Sequence, residues 1–554
     1  MKSKLLKIIA ALLCINIFLT SCSLRDSVKI EEKENNKEIG FSGDIMDKGP
    51  VKGGNLRLFS TIPDTLNPIL TQNLYVKDFS EMIFESLIKL DKAQRPIPVL
   101  VDKWEVSQDG LTWIFYLRND VVWQNGTPFT AEDVEFTIKN IQDPKVNTLY
   151  KKNVEDISAF TAVNKNTIKI ILKKTNSFFA ELMTFPILSK RHFNGESIAV
   201  SKKNDSPMGT GPYRFVSSDG KTLIKLKLNE TWWRSAGKKE AALPYISDID
   251  VVLSRSSKDA INDFQDERID LTYLKNRDFS KFSGRSDIYL KKFPSNNYEF
   301  ISLNLKNDIL SDKAVRQAMA YAIDKVKLID KIIPGEAIAA DLPVIPDTWL
   351  YESNALSYTA SAKSARELLL QNGWKEDLKT GTMYKSMGGV YRKLELEMLV
   401  NEDNDVRFRV AEMIASQLQA CGITLKVTKI KWEDEFKKIN NKTYDMALLG
   451  LSIPDYSDIS YAFSSDSYVF NTSGYKNPEV DGYLKQIRSE NDDSKKKSMF
   501  FNMRSIISDE MPYIGLYFYN HAVLFNKRVR GDLSSYQWSK YNDITKWYIT
   551  APVR

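Results

Sequence analysis

The chain has one stretch apolar enough to meet a bilayer, and it lies at the very start. Lys2, Lys4 and Lys7 precede residues 8–19, which are apolar apart from Asn16. At a helical rise of about 1.5 Å per residue this run covers roughly 18 Å, short of a hydrocarbon core ~30 Å thick. It has the length of a signal peptide's apolar region, not of an anchor. No later window reaches eighteen apolar residues, so no spanning helix is expected. The rest of the chain must therefore fold after export, around its own core.

The apolar run ends in Leu19-Thr20-Ser21-Cys22. A branched apolar residue, two small residues and a cysteine at this place resemble the bacterial lipobox. The resemblance implies diacylglycerol transfer to the Cys22 thiol and cleavage before Cys22, with residues 1–21 as lipoprotein signal peptide. A buried cysteine at a helix end is the other reading. Cys14 would leave with the leader. Each buried methylene contributes about 0.8 kcal/mol, so two or three acyl chains hold a protein firmly. The expected location is the extracytoplasmic face of the cell membrane. Glu31, Glu32, Lys33, Glu34, Lys37 and Glu38 make the next segment too polar to fold. Residues 22–50 read as a flexible tether, with a short exposed helix as the alternative.

A chain of 554 residues is expected to hold two or more domains, because single cores stop growing near roughly 250–300 residues. The formal charge is +7, and Lys2, Lys4 and Lys7 of the leader supply part of it. Lysines alternate with acids throughout and form no basic stripe, so nucleic acid is not an expected partner. After cleavage only Cys22 and Cys421 remain, which gives no disulfide framework. Cys421 reads as a packed thiol. His192 and His521 are the only histidines and both adjoin apolar residues. They read as structural, a histidine-rich metal site is excluded, and neither metal nor cofactor is expected.

Periodicity supplies the elements. Residues 56–59 read as a strand, and Phe79, Ile83, Leu87 and Leu90 have helical spacing. Residues 104–117 read as a hairpin turning at Asp109-Gly110. Thr130 and Asp133 form a capping pair, with Phe129 and Val134 as a staple, before a helix bearing Ile138 and Ile141. Residues 167–172, 213–216 and 246–253 read as strands, and residues 300–305 alternate. Ser311 opens a helix carrying Val315, Ala318, Met319 and Ala322. Strands at 394–400, 423–427 and 444–450 and a helix at 406–418 complete an α/β order.

Four segments together resemble the peptide/nickel class of bacterial extracellular solute-binding proteins, family 5. The longest runs through Phe84-Glu85-Ser86-Leu87, Pro98-Val99-Leu100, Trp104, Asp109-Gly110-Leu111-Thr112-Trp113, Leu117-Arg118, Trp123 and residues 126–134. Gly209-Thr210-Gly211-Pro212-Tyr213 is the second. Val315-Arg316-Gln317-Ala318 with Ala322-Ile323-Asp324 is the third, and residues 406–418, Gly422-Ile423, Trp432 and Tyr444-Asp445 the fourth. The resemblance spans residues 52–529. It implies an α/β, two-lobed periplasmic-binding-protein-like fold of type II (cluster C) with an extra inserted domain. Domain I would comprise residues 51–87, 201–292 and 512–554, the inserted domain II residues 88–200, and domain III residues 293–511. A ligand would lie between lobe I/II and lobe III, enclosed by hinge closure.

The same resemblance implies an oligopeptide-binding lipoprotein, a monomer, that hands its cargo to the permease and ATPase of an ABC importer. Such a protein grips what all peptides share, the backbone and the charged ends. In the family an aspartate in the loop after the 444–450 strand pairs with the ligand's amino terminus, which places Asp455 in that role; a turn or cap residue is the other reading. Family members often carry a tryptophan shortly before the aspartate and a proline after the second one. Here Leu451 and Ser452 precede it and Ile459 follows Asp458, so the ligand need not be that of its relatives. Tyr298, Trp349, Tyr351 and Tyr456 are candidates to line side-chain pockets; Trp104, Trp113 and Trp123 read as packing residues.

Nickel chelates, heme and oligosaccharides are alternative cargoes on this fold, and a peptide pheromone is another. The rival of a different class is an exported hydrolase. Gly450-Leu451-Ser452-Ile453-Pro454 lacks the last glycine of a nucleophile elbow. The zinc-protease, Cys-x-x-Cys and Walker patterns are missing as well, so no catalytic residue is assigned. Cys22→Ala is expected to leave unlipidated precursor or released protein in membrane fractionation. Unchanged retention, with no lipid label on the wild type, would end the lipoprotein reading.

Overall fold

The computed structural model describes residues 49–235, 243–275, 279–351, 358–467 and 471–550, so Cys22 and the leader lie outside it. Three main sheets organise these residues. A four-stranded sheet runs in the order Asn55–Thr61, Asp248–Ser254, Leu223–Leu228, Tyr213–Ser218. Its first two strands are parallel, with Leu58 opposite Val251. An antiparallel sheet orders Val101–Val106, Thr112–Leu117, Thr167–Leu172, Ile157–Asn164. One apolar cluster joins both sheets, from Leu56 and Leu58 to Trp113, Phe115 and Ile170. They form the first lobe.

The third sheet has seven strands. Its centre is a pair of long antiparallel strands, Ile288–Leu303 and Tyr513–Asn526, of 16 and 14 residues. At one end the second of these pairs with Leu271–Lys275, beside the first lobe. At the other end the first pairs with Met446–Ser452, and beyond it lie Glu395–Asn401 and Thr424–Ile430. The helices Lys313–Ala322 and Asp405–Gln419 contribute to a second cluster on this end, with Ile301, Leu396, Met398, Ile414 and Leu448. The two long strands therefore belong to both lobes. Their ladder is regular from Ile288 to Pro294, shifts register, and resumes at Tyr298 opposite Phe518.

Local chemistry explains the elements. Gly110 takes φ +69° in the hairpin turn. Asp133 is buried, accepts the Thr130 amide at 2.9 Å through Oδ2, and accepts the Lys190 amide at 2.8 Å through Oδ1. It thus caps the helix Ala131–Gln142 and ties it to a distant loop. The helix expected from Ser311 starts at Lys313, because Asp312 supplies the cap by accepting the Ala314 amide.

The helical spacing at residues 79–90 misleads. The helix is Leu74–Ser80, and Ile88–Leu90 is a short strand. Between them the backbone is claimed by other segments. Gly211 donates to Ile83 O at 2.9 Å, Tyr213 to Met82 O at 3.0 Å, and Ile187 to Glu85 O at 3.0 Å. A helix would need those carbonyls itself. Gly209 and Gly211 permit the approach, since a Cβ on either would collide with the carbonyls of Ile83 or Met82. Gly209→Ala is therefore expected to cost about 1–3 kcal/mol and to lower the calorimetric melting temperature; an unchanged melt would refute the close approach.

Candidate functional site

The lobes meet along a polar seam. The Trp349 amide donates to Ala93 O at 2.9 Å, and the Ser177 amide to Arg488 O at 2.7 Å. Arg95 pairs with Asp493, and Arg488 lies 3.5 Å from Asp156. Within the seam lies a cavity of about 290 Å³. The first lobe supplies most of its wall: Lys77, the 81–90 segment, Arg234 and residues 538–545. The second lobe supplies Asp455.

The wall groups are unequally satisfied. Burial pushes the Glu85 carboxyl up, while Arg234 and Trp233 hold it down. Trp233 Nε1 donates to Glu85 Oε2 at 2.7 Å, and Arg234 Nε lies 3.6 Å from Oε1. Asp543 is paired with Lys546 at 3.2 Å. Lys77 sits 5.6 Å from the Tyr150 ring centroid and acts on Asp455 across the gap. Asp455 Oδ1 is buried and has no hydrogen-bond partner among the described residues. A buried acceptor left unmade costs about 1–3 kcal/mol, so this oxygen is a candidate to accept from a ligand in the cavity.

Asp455 is held from both sides. The strand Met446–Ser452 continues into Ile453, whose amide donates to Asn296 O at 2.8 Å and whose carbonyl accepts Asn296 Nδ2 at 2.9 Å. Two residues past Asp455, the Ser457 amide donates to Glu181 Oε2 at 2.6 Å. Asp458 then caps Ser460 at 2.9 Å and pairs with Arg488.

The aromatic candidates lie elsewhere. Tyr298 is 4% exposed, stacks on Phe300, and donates from its hydroxyl to Asp341 O at 2.8 Å. It lines a separate void of about 30 Å³. Trp349 is buried in the seam under the Arg95 guanidinium, 4.7 Å away, and its Nε1 donates to Ser457 Oγ at 3.0 Å. Tyr351 is half-buried against a cluster of Val344, Leu350 and Phe463. Tyr456, pushed up to about 12 by burial, packs across the seam on the core of the first lobe. Of the five, only Asp455 faces the cavity. Lys77, Glu85 and Arg234 carry no ligand-contact signal in the sequence, although Glu85 lies in Phe84-Glu85-Ser86-Leu87 and Arg234 follows Trp232-Trp233.

A larger cavity of about 370 Å³ lies behind the long strands, lined by Lys275, Asn297, Glu299 and Arg407 among others. Its acid is already answered, since Arg407 Nε and Nη2 donate to Glu299 at 2.7 and 2.8 Å. The seam cavity, with its unanswered oxygen, is the stronger candidate.

Other chemistry finds little support. Burial pushes the Cys421 thiol up to about 11, and Cys421 Sγ lies 3.1 Å from Leu418 O. Burial lowers His521 to about 4, so it is neutral at physiological pH, and it lowers half-buried His192 as well. Among the described residues no group of three or more His, Cys, Asp or Glu could hold a metal ion, and no helix is long and apolar enough to cross a membrane.

Comparison with known proteins agrees with this layout. The description "Bacterial extracellular solute-binding proteins, family 5 Middle" matches residues 95–473. The oligopeptide-binding protein AppA of Bacillus subtilis (strain 168) is 24% identical over 562 residues, covering 98% of this chain and 98% of AppA. Heme-binding protein A of Haemophilus influenzae is 24% identical over 487 residues, covering 82% of this chain and 85% of that protein. The unliganded open form of MppA, a periplasmic murein tripeptide binding protein, superposes with a TM-score of 0.76 at 20% identity, covering 91% of this chain and 99% of MppA.

Proposed function

Because the chain belongs to the bacterial extracellular solute-binding proteins of family 5, we propose that it captures short peptides between its lobes and delivers them to an ABC importer. Its fold is the two-lobed α/β fold of that family. The carrying observation is Asp455, whose buried Oδ1 lacks a partner and whose side chain lines the seam cavity. A peptide ammonium supplies the missing donor in a charge-assisted bond, about twice as strong as a neutral one. Lys89 also lines the cavity; its side chain has no hydrogen bond or ion pair among the described residues and suits the opposite end of a zwitterion. A volume of about 290 Å³ stands at the small end of ligand sites, roughly 300–1,000 Å³, which supports a peptide of a few residues.

The cargo leaves unchanged in this reading, as the family's description as solute-binding proteins supports. Lobe III would be residues 293–511, opposing a lobe of domains I and II. A lipid on Cys22 would keep the monomer at the extracytoplasmic face, next to the permease and its ATPase. The heme-binding relative keeps a different cargo in view, and intact mass spectrometry of ligand carried through native purification identifies it directly.

Asp455→Ala is expected to weaken free-amine peptides by roughly 10- to 100-fold, the equivalent of a charged hydrogen bond of about 1.5–3 kcal/mol. N-acetylated peptides should change little. Titration calorimetry of both peptide classes on wild type and variant checks this, and equal affinities throughout would sink the assignment.

A further inference from the structure

The seam holds another buried carboxylate, which grips the Asp455 loop. Glu181, in the short helix Phe179–Leu182 of the first lobe, is 5% exposed. Its Oε2 accepts the Ser457 amide of the second lobe at 2.6 Å. The same serine is gripped by three neighbours. Its Oγ accepts Trp349 Nε1 at 3.0 Å and lies 3.4 Å from Gln94 Oε1. The charged groups packed around Glu181 are accounted for by one another. Lys496 and Arg95 flank Asp493, while Arg488 and Lys174 flank Asp156, and Arg488 also takes Asp458. Lys496 acts on Glu181 from a distance, with its ammonium 5.0 Å from the Phe178 ring. No cation forms an ion pair with Glu181 among the described residues.

We propose that Glu181 is the closure latch of this protein, holding Ser457 across the seam, fixing the loop that bears Asp455, and making lobe closure favoured by acid. The proposal rests on the seam being the ligand site.

The sign follows from burial. With the lobes apart Glu181 faces water and has an ordinary value near about 4.3. In the closed form burial raises it to about 8, opposed by the Ser457 amide and hydroxyl and by Lys496, and assisted by Asp458. The closed form binds the extra proton. The contribution to closure is complete below the ordinary carboxylate range and fades as pH rises through about 8. Between those limits one titrating group changes the closing constant by up to about tenfold per pH unit.

The test reads lobe separation directly. Spin labels at the exposed positions Val163 and Leu378, one on each lobe, report distance by double electron–electron resonance. The full chain is measured from pH 5.5 to 8.5, alone and with trialanine as probe. The closed fraction of the wild type should fall as pH rises. Glu181→Gln keeps the acceptor and the shape without the titration, and its closed fraction should stay flat. Glu181→Ala should open the lobes at every pH, with an unchanged far-ultraviolet spectrum showing that it folds. Equal pH slopes in wild type and Glu181→Gln would overturn the latch, and so would a protein open in every arm. If trialanine and other short peptides bind at no pH, the peptide reading falls, while the response of the unliganded lobes still decides the latch.

Discussion

Everything in this molecule hangs on the pairing of Ile288–Leu303 with Tyr513–Asn526. The two strands run through the seven-stranded sheet from Leu271–Lys275, beside the first lobe, to Met446–Ser452 in the second. The pairing is backbone hydrogen bonding, which resists stretching, interrupted by register shifts between Pro294 and Tyr298 and between Glu299 and Phe300. Twist concentrates where a ladder is irregular. The lobes are thereby connected firmly along the strands and loosely about them.

That connection places the site. The strand Met446–Ser452 is built on the long pair, and its extension through Ile453 carries Asp455 to the first lobe's wall. The wall is fixed from the opposite direction, by the backbone contacts that Gly209 and Gly211 permit against residues 82–85. A cavity with charged groups of both signs results, within which most acids already have a partner and one oxygen does not.

Much of this could be read from the sequence, and the failures have physical causes. Caps and tight turns are local chemistry, so Thr130 with Asp133 and the Asp109-Gly110 hairpin were legible. The long strands were not. A register shift breaks the period-two alternation of Ile288–Leu303, and Tyr513–Asn526 is buried on both faces and so does not alternate. The apolar spacing of residues 79–90 fits a helix, but distant amides claim the carbonyls. At the site, Asp455 was reached through family resemblance. Glu181 and Arg234 lie more than 200 residues away from it along the chain, and no local pattern records such a meeting. Aromatics such as Tyr298 and Trp349 went to packing, because their rings had more surface to gain in the core and the seam than in a wet pocket.

The unanswered oxygen of Asp455 has a bearing on traffic. A molecule that shuts with no donor for that acceptor carries a penalty of about 1–3 kcal/mol. A molecule that shuts on cargo does not. The difference makes vacant shut molecules scarcer than loaded ones by roughly 5- to 150-fold. A membrane partner that docks only the shut shape would then meet few empty carriers, and little of its nucleotide would be spent on an idle cycle.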